Sequence, residues 1–456
     1  MNVAPRGLAG SFRDPAGQVR RHDGTIFREV FHAGRAAYDR LMASGLSERL
    51  ISRELLVPHF ERPAEPWNHP DTSCVLQPQP IPFISYPFEW CFSQLQAAAL
   101  ATLAIQEEAL RFGMTLKDAA PENMQFLNGK MVLIDTLSFE PATGPVWAAY
   151  FQFCRRFLAP LALVAYGDPR MLKLMASEPD GIPLDTASKL LPRHTWLRPS
   201  MALHVHLHAR ADRRRDSRSP PSSALPTRQR AVVDSLRRAI KNLRWDVPET
   251  EWTRYETEKP TYSPQAWEAR ERAILDCLHR IRPAVVWDLG AALGHASRMA
   301  TRQGAVAVAL DADPSCVELM WRRARRDDDR HLLPIVQDLL RPTPRSGWAE
   351  AELQSLSDRG PADLVLVLGF IHHLTIRGGV PIDLVFEYLA TLGRSALVEF
   401  IPPSDPIVAE WCQKFGRPPL TEGAFRSAAE QHYSVIERMA VADSTRVLYL
   451  LRSRLI

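Results

Sequence analysis

The sequence predicts an α/β protein whose C-terminal part is a doubly wound, mostly parallel sheet and whose N-terminal part is a separate α+β domain. Three observations carry this reading. From Val285 onward, short apolar runs alternate regularly with segments of helical periodicity. The first of those runs passes into a tight turn, Val285-Val-Trp-Asp288-Leu-Gly290-Ala-Ala292-Leu-Gly294. Upstream, residues 209–229 are rich in Arg, Pro and Ser and poor in large apolar residues, the composition of a linker.

The totals agree with two or three domains. The chain has 456 residues, 46% hydrophobic and 24% charged, with a formal net charge of +4. That charge rests on a few Arg clusters and gives no reason to expect a nucleic-acid partner. The six cysteines include no C-x-x-C pair, and most lie in apolar runs, so reduced thiols of a cytoplasmic protein are expected. The start lacks a signal-peptide apolar region, and runs such as 157–166 are too short to span a bilayer. The expected division is a domain over 1–208, the linker 209–229, a helical and aromatic lead-in over 230–282, and the sheet domain over 283–456.

In the N-terminal part, Gln18–Arg21 and Thr25–Phe31 flank His22-Asp23-Gly24, a hairpin signal. Helical spacing runs from Arg35 to about Leu55. Residues 58–82 are Pro-rich and predicted irregular, and 81–90 reads as a buried strand and turn. The Ala/Leu-rich stretch Phe92–Phe112, stopped by Gly113, is predicted helical. Two short apolar strands then meet at Asn128-Gly129, with Asp118 and Asn123 before them and Asp135 after. Further helices are expected over 148–166 and 184–191. His204, His206 and His208 could share a face, but no Cys or carboxylate nearby completes a metal set, so a polar or core cluster is expected.

Asp118-x4-Asn123, a hairpin, and Asp135 closing an apolar strand resemble the catalytic loop and metal-binding Asp of protein-kinase-like phosphotransferases. The match covers roughly residues 80–140. The resemblance implies that Asp118 would accept a hydroxyl proton while Asn123 and Asp135 hold Mg²⁺. Against activity, the chain has no lysine before Lys117 and no glycine-rich phosphate loop. Arg28 is the evident substitute cation, and Arg and Lys are not interchangeable at such sites. A kinase-like domain that binds or presents substrate is therefore expected. An ATP/Mg²⁺-dependent phosphotransferase is the alternative.

In the C-terminal part, strands are predicted at 285–289, 305–310, 333–337, 363–368 and 395–400. Helices are predicted at 232–245, 266–281, 297–302, 314–325 and 382–392. The closing antiparallel pair is expected at 434–440 and 445–452. Apolar strands without alternation imply a sheet covered on both faces. Gly290 and Gly294 permit a tight turn and close approach to a ligand. Asp311 ends the second strand about 20 residues on, placed to accept from both hydroxyls of a ribose. Asp338 follows the third strand, where an adenine amino group could donate to it. Leu368-Gly-Phe-Ile-His372-His373 follows the fourth. The aromatic stretch Trp252, Tyr255, Tyr262, Trp267 suits either a lid or a staple onto the next domain.

This order resembles the class I S-adenosylmethionine-dependent methyltransferases, with a Rossmann-like seven-stranded sheet, over residues 283–453. The resemblance implies S-adenosylmethionine as cofactor, held by Asp288, Gly290, Ala292, Gly294, Asp311, Ala312, Asp338, Leu339 and Leu368. A dinucleotide site would want glycines at 292 and 295, where Ala292 and His295 stand. The stretches 81–90, Leu116-Lys-Asp-Ala, Leu133-Ile-Asp-Thr-Leu-Ser-Phe-Glu and Phe370-Ile-His-His-Leu resemble a group of bacterial two-part proteins, some of them nodulation-related methyltransferases. That implies the same domain pairing and leaves the substrate open.

An acceptor hydroxyl or amine would need a base. The candidates are His372, His373 and Glu399, with Glu410 beyond. The expected acceptor is a small or carbohydrate-like molecule, with no nucleic acid and no membrane as partner. A protein that binds the cofactor without catalysis is the remaining alternative.

Overall fold

The structure is a computed structural model that describes residues 10–63, 70–144, 146–209, 226–258 and 262–456. It comprises two compact units, 1–246 with 347–353, and 247–346 with 354–456. No helix among the described residues is long and apolar enough to cross a membrane.

In the first unit, β1 (Gly17–His22) and β2 (Thr25–Phe31) form the expected hairpin, with His22 opposite Thr25. Asp23 and Gly24 both have positive φ (46° and 78°), as the tight turn between right-twisted strands requires. The Pro-rich stretch is not irregular. It supplies β3 (His59–Arg62) and β4 (Thr72–Pro78), giving a four-stranded antiparallel sheet in the order β1-β2-β4-β3. The edge strand β3 is largely exposed, so it carries no apolar alternation.

Residues 81–90, expected as strand and turn, contain no strand. Pro78, Pro80, Pro82 and Pro87 lack N–H donors, and side chains satisfy the backbone instead. Ser85 N donates to Gln125 Oε1 (3.0 Å) and Tyr86 N to Glu89 Oε2 (2.9 Å). The single helix expected over 35–55 is two, His32–Ala43 and Leu46–Ser52, broken where Gly45 takes φ +80°. The long helix Phe92–Arg111 forms as predicted.

Downstream lie β5 (Met114–Leu116), β6 (Met124–Leu127), β7 (Lys130–Leu133) and β8 (Phe139–Pro141), paired β5–β8 and β6–β7. The β6–β7 turn places Asn128 and Gly129 at positive φ. The helix expected over 148–166 is interrupted by a π-helical turn at Cys154–Leu158.

The histidine cluster is bonded to hydroxyls. Tyr150 Oη lies 2.8 Å from His204 Nδ1 and 2.9 Å from His208 Nδ1, and His204 Nε2 meets Ser235 Oγ at 2.8 Å. His206 is bonded by Ser188 and Thr195 and stacks on Trp196 with centroids 4.3 Å apart.

Most of the expected linker, 210–225, lies outside the described residues. The lead-in over 230–282 is divided between the units. Helix Pro226–Asn242 packs on Phe92–Arg111, with Gln96 Nε2 donating to Ile240 O (2.9 Å) and Arg237 paired with Glu107 (2.6 Å). Helices Glu251–Glu258 and Pro264–Ile281 belong to the second unit.

The second unit is built on one seven-stranded sheet: β9 (Val285–Leu289), β10 (Val306–Asp311), β11 (Leu332–Val336), β12 (Ala362–Val367), β13 (Gly393–Phe400), β14 (Tyr433–Ala440) and β15 (Val447–Ser453). Its order is β11-β10-β9-β12-β13-β15-β14, parallel except for β15, which runs antiparallel to both neighbours. The order reverses between β10 and β12 around β9, so the crevice for a ligand opens at the carboxyl ends of β9, β10 and β12. Strands β9, β11 and β12 are almost wholly buried, as unalternating apolar runs require.

Candidate functional site

The turn after β9 is built to bring backbone to the carboxyl edge. Gly290, Ala292 and Gly294 all have positive φ (75°, 48° and 73°). Ala292 thus occupies the left-handed region that favours glycine, which a small side chain tolerates at modest cost. Its N–H donates to Asp311 Oδ2 at 2.7 Å, while Asp313 N donates to Asp311 Oδ1 at 2.8 Å. The turn and the acidic end of β10 are therefore one hydrogen-bonded unit. A Cβ on Gly290 would lie 2.3 Å from the Phe370 ring, so that glycine is required by the loop after β12.

Burial pushes the Asp311 carboxyl up to about 7, against the pull of its two backbone donors. Each oxygen keeps a second acceptor direction. Two ribose hydroxyls are the kind of donor that such a carboxylate lacks. This donor set fits the adenosyl part of S-adenosylmethionine. Asp288 is turned inward: fully buried, it accepts from Ser297 Oγ at 2.6 Å and anchors the helix His295–Arg302. Its burial raises its pKa. Asp338 is half-buried and accepts from Leu340 N at 2.9 Å. Ala312 is exposed, Leu339 half-buried and Leu368 buried along the same edge.

The predicted catalytic residues have different surroundings. His373 begins a π-helical turn (His373–Arg377) and is enclosed by aromatic rings. Phe370 stacks on it at 5.4 Å, and Trp411 and Trp252 meet it edge-on at 4.6 and 5.1 Å. His372 is buried beside Trp411, and among the described residues neither of its ring nitrogens has a hydrogen-bond partner. Burial lowers the pKa of His372 to about 3 and of His373 to about 2, so both are neutral imidazoles near pH 7.

Glu399 is fully buried near the end of β13, and among the described residues neither oxygen is in hydrogen-bond geometry with a donor. Burial pushes it up to about 7, against the nearby Arg446. The exposed Glu410 lies on helix Pro406–Phe415 and has no such environment.

Around Glu399 the fold gathers residues that the sequence reading passed over. Arg446 Nη1 lies 3.8 Å from Glu399 Oε1 and Arg270 Nη2 lies 3.6 Å from Oε2. Arg446 also binds Asp405 at 2.9 Å. Both guanidinium groups lie over the Tyr262 ring, at 4.7 and 5.4 Å. The Tyr262 hydroxyl is itself buried without a partner among the described residues. Arg270 sits on the apolar face of its helix with Ala266 and Ile274, and Arg446 sits just before an apolar strand. A charge on an apolar helix face was the available signal for Arg270, and a charge abutting an apolar strand for Arg446.

The aromatic stretch packs at this edge: Trp252 on His373, Tyr262 under the arginines, and Trp267 on His295 at 5.0 Å. The Tyr255 side chain lies outside the described residues. Beside His372 a chamber of about 10 Å³ is bordered by Ile371, Thr375, Phe400 and Val408, room for about one water.

In the first unit, Asn123 Nδ2 donates to Asp118 Oδ2 (2.9 Å) and Gln152 Nε2 to Asp118 Oδ1 (2.6 Å). Asp135 accepts from Leu137 N (2.9 Å) and Ser138 Oγ (2.7 Å). Arg28 is in place as the substitute cation, bridging Asp14 and Asp135 at 2.7 Å each. Its guanidinium therefore occupies the carboxylate that the kinase resemblance would assign to Mg²⁺.

No family model matches the chain. The nodulation protein NoeA of Rhizobium meliloti (strain 1021) is 31% identical over 463 residues, covering 98% of this chain and 96% of that protein. Among solved structures, the N-methyltransferase NodS from Bradyrhizobium japonicum WM9 is 14% identical with a TM-score of 0.32, covering 42% of this chain and 98% of that one. The bifunctional kinase-methyltransferase WbdD is 19% identical with a TM-score of 0.32, covering 47% of this chain and 45% of that one.

Proposed function

The chain belongs to the family of the nodulation protein NoeA, and from that premise we propose that its second unit transfers a methyl group from S-adenosylmethionine to a small, polar, carbohydrate-like acceptor. The observation that carries the reading is the Ala292–Asp311 bond at the topological switch of the sheet. It joins a three-fold left-handed turn to an acidic strand end whose carboxyl is poised for ribose donors.

Bound S-adenosylmethionine supplies a methyl group on a sulfonium, already electrophilic. The chain's own residues then have to hold the cofactor, align the acceptor and exclude water. Gly290, Ala292, Gly294 and Asp311 hold the adenosyl end, with Asp338, Leu339, Ala312 and Leu368 along the same edge. Glu399 takes the proton from the acceptor, because a carboxyl near 7 matches a base working at neutral pH. His372, neutral and unpartnered, hydrogen-bonds the acceptor. His373 forms part of the aromatic wall with Trp252 and Trp411.

The first unit presents the acceptor, since Arg28 on Asp135 favours a binding role over phosphotransfer. Comparison of polar metabolites with and without the protein, in the presence of S-adenosylmethionine, should show one compound heavier by a methylene group together with S-adenosylhomocysteine. Absence of S-adenosylhomocysteine above background overturns the proposal.

A further inference from the structure

The first unit contains a cavity of about 390 Å³ lined by Lys117, Ala148, Ala149, Gln152, Arg155, Arg156 and Asp180. We propose that it is an oxyanion-binding site, shaped for the phosphate of a phosphate monoester. The inference is independent of the methyl-transfer reading.

Among the described residues, three cations, one carboxylate, one glutamine and two alanines border the space. Lys117 is half-buried and, among the described residues, engages in no ion pair. Arg156 Nη2 pairs with Glu122 Oε1 at 2.5 Å, which fixes the guanidinium, yet its buried Nε has no partner among the described residues.

The cavity is built, and two local features hold its cations in place. Arg155 and Arg156 lie in the π-helical turn Cys154–Leu158, a rare geometry that recurs at functional sites. Gly181, at φ +84°, closes the chain against them, and Ile182 N donates to Arg155 O at 3.0 Å. A Cβ on Gly181 would come within 2.5 Å of Arg156 Cγ and 2.9 Å of Arg155 Cβ.

Two planar guanidinium forks and one ammonium suit a tetrahedral anion with several oxygens better than a lone carboxylate. The cavity volume falls in the range of small-molecule sites, and its polar walls suit a hydrophilic ligand such as a phosphorylated sugar. Gln152 joins the cavity to Asp118, to which it donates at 2.6 Å, so occupancy would be felt at that carboxylate.

The test is calorimetric titration of the full chain at low ionic strength with inorganic phosphate, glucose 1-phosphate and glucose. Both phosphate probes should bind, glucose should not, and added salt should weaken binding. Lys117→Gln should reduce affinity for glucose 1-phosphate about tenfold, and Arg155→Gln should do likewise, each with an unchanged melting temperature. Lys189→Gln, which removes an exposed charge on the helix Leu184–Leu190, should bind as the parent does. If glucose 1-phosphate binds more tightly than inorganic phosphate, the cavity reads the sugar as well as the anion. Equal affinities mean that it reads the anion alone. Failure of both phosphate probes to bind overturns the proposal, as does unchanged affinity in Lys117→Gln or an equal loss in Lys189→Gln.

Discussion

Arg446 binds Asp405 at 2.9 Å, and its Nη1 stands 3.8 Å from Glu399 Oε1, beyond hydrogen-bond reach. The guanidinium is committed to one carboxylate while its field still reaches the other. Burial pushes the Glu399 carboxyl up to about 7, and the field of Arg446 offsets that only in part. Replacing Arg446 by Met should raise the Glu399 pKa further and shift the rising limb of the pH–rate profile to higher pH. A profile unmoved by that change would remove Glu399 as the base.

The same carboxyl predicts how stability responds to pH. A free glutamate titrates near 4.5, whereas folded Glu399 titrates near 7. Between those values the folded state holds a proton that the unfolded state has lost, so stability falls as pH rises. Asp311, also pushed up to about 7, acts in the same direction. Their joint contribution to the melting temperature should therefore decline between pH 5 and pH 8, opposed below about pH 6.5 by His372 and His373, which burial holds neutral in the folded state. Glu399→Gln, which stays neutral, should flatten that decline, and an unchanged slope would contradict the assignment.

Gly290→Ala should destabilise the second unit by about 2–4 kcal/mol, from overpacking against Phe370 together with a positive φ. Adding Phe370→Ala should recover the overpacking part and leave the backbone strain. Urea denaturation of the two variants and the double variant measures the coupling.

Arg28→Ala would leave Asp14 and Asp135 facing each other's charge without the cation between them. The loss should be about 1–3 kcal/mol of stability in the first unit, read as a lower urea midpoint at constant slope. If Mg²⁺-dependent ATP binding were stronger in the variant than in the parent, Arg28 would be shown to block a latent metal position at Asp135.

The second unit was largely legible because its strands are covered on both faces. Runs such as Val285–Leu289 and Ala362–Val367 need no tertiary information to be read as buried strands. The Asp-Gly and Asn-Gly turns at 23–24 and 128–129 were equally local, since positive φ at both positions is a property of those residues. What stayed hidden depends on long-range contact. Strand β3 owes its existence to pairing with β4, and 81–90 is held by Gln125, 40 residues away, through Ser85. At the candidate site, Asp311 and the histidines could be placed by their position after strands. Arg270, Asp405 and Arg446 could not, because they come from a helix, a cap and a hairpin that only the fold brings onto Glu399. The enclosure of His373 by Phe370, Trp252 and Trp411 was invisible for the same reason.

The most direct test of the account is calorimetric titration of S-adenosylmethionine into the parent protein and into Asp311→Ala across pH 6 to 8. The parent should bind more tightly as pH rises through about 7, where Asp311 ionises and accepts the ribose hydroxyls. Asp311→Ala should bind about 100-fold more weakly and lose that pH dependence. A parent protein that binds no S-adenosylmethionine, or an Asp311→Ala variant that binds it equally well at every pH, would contradict the account.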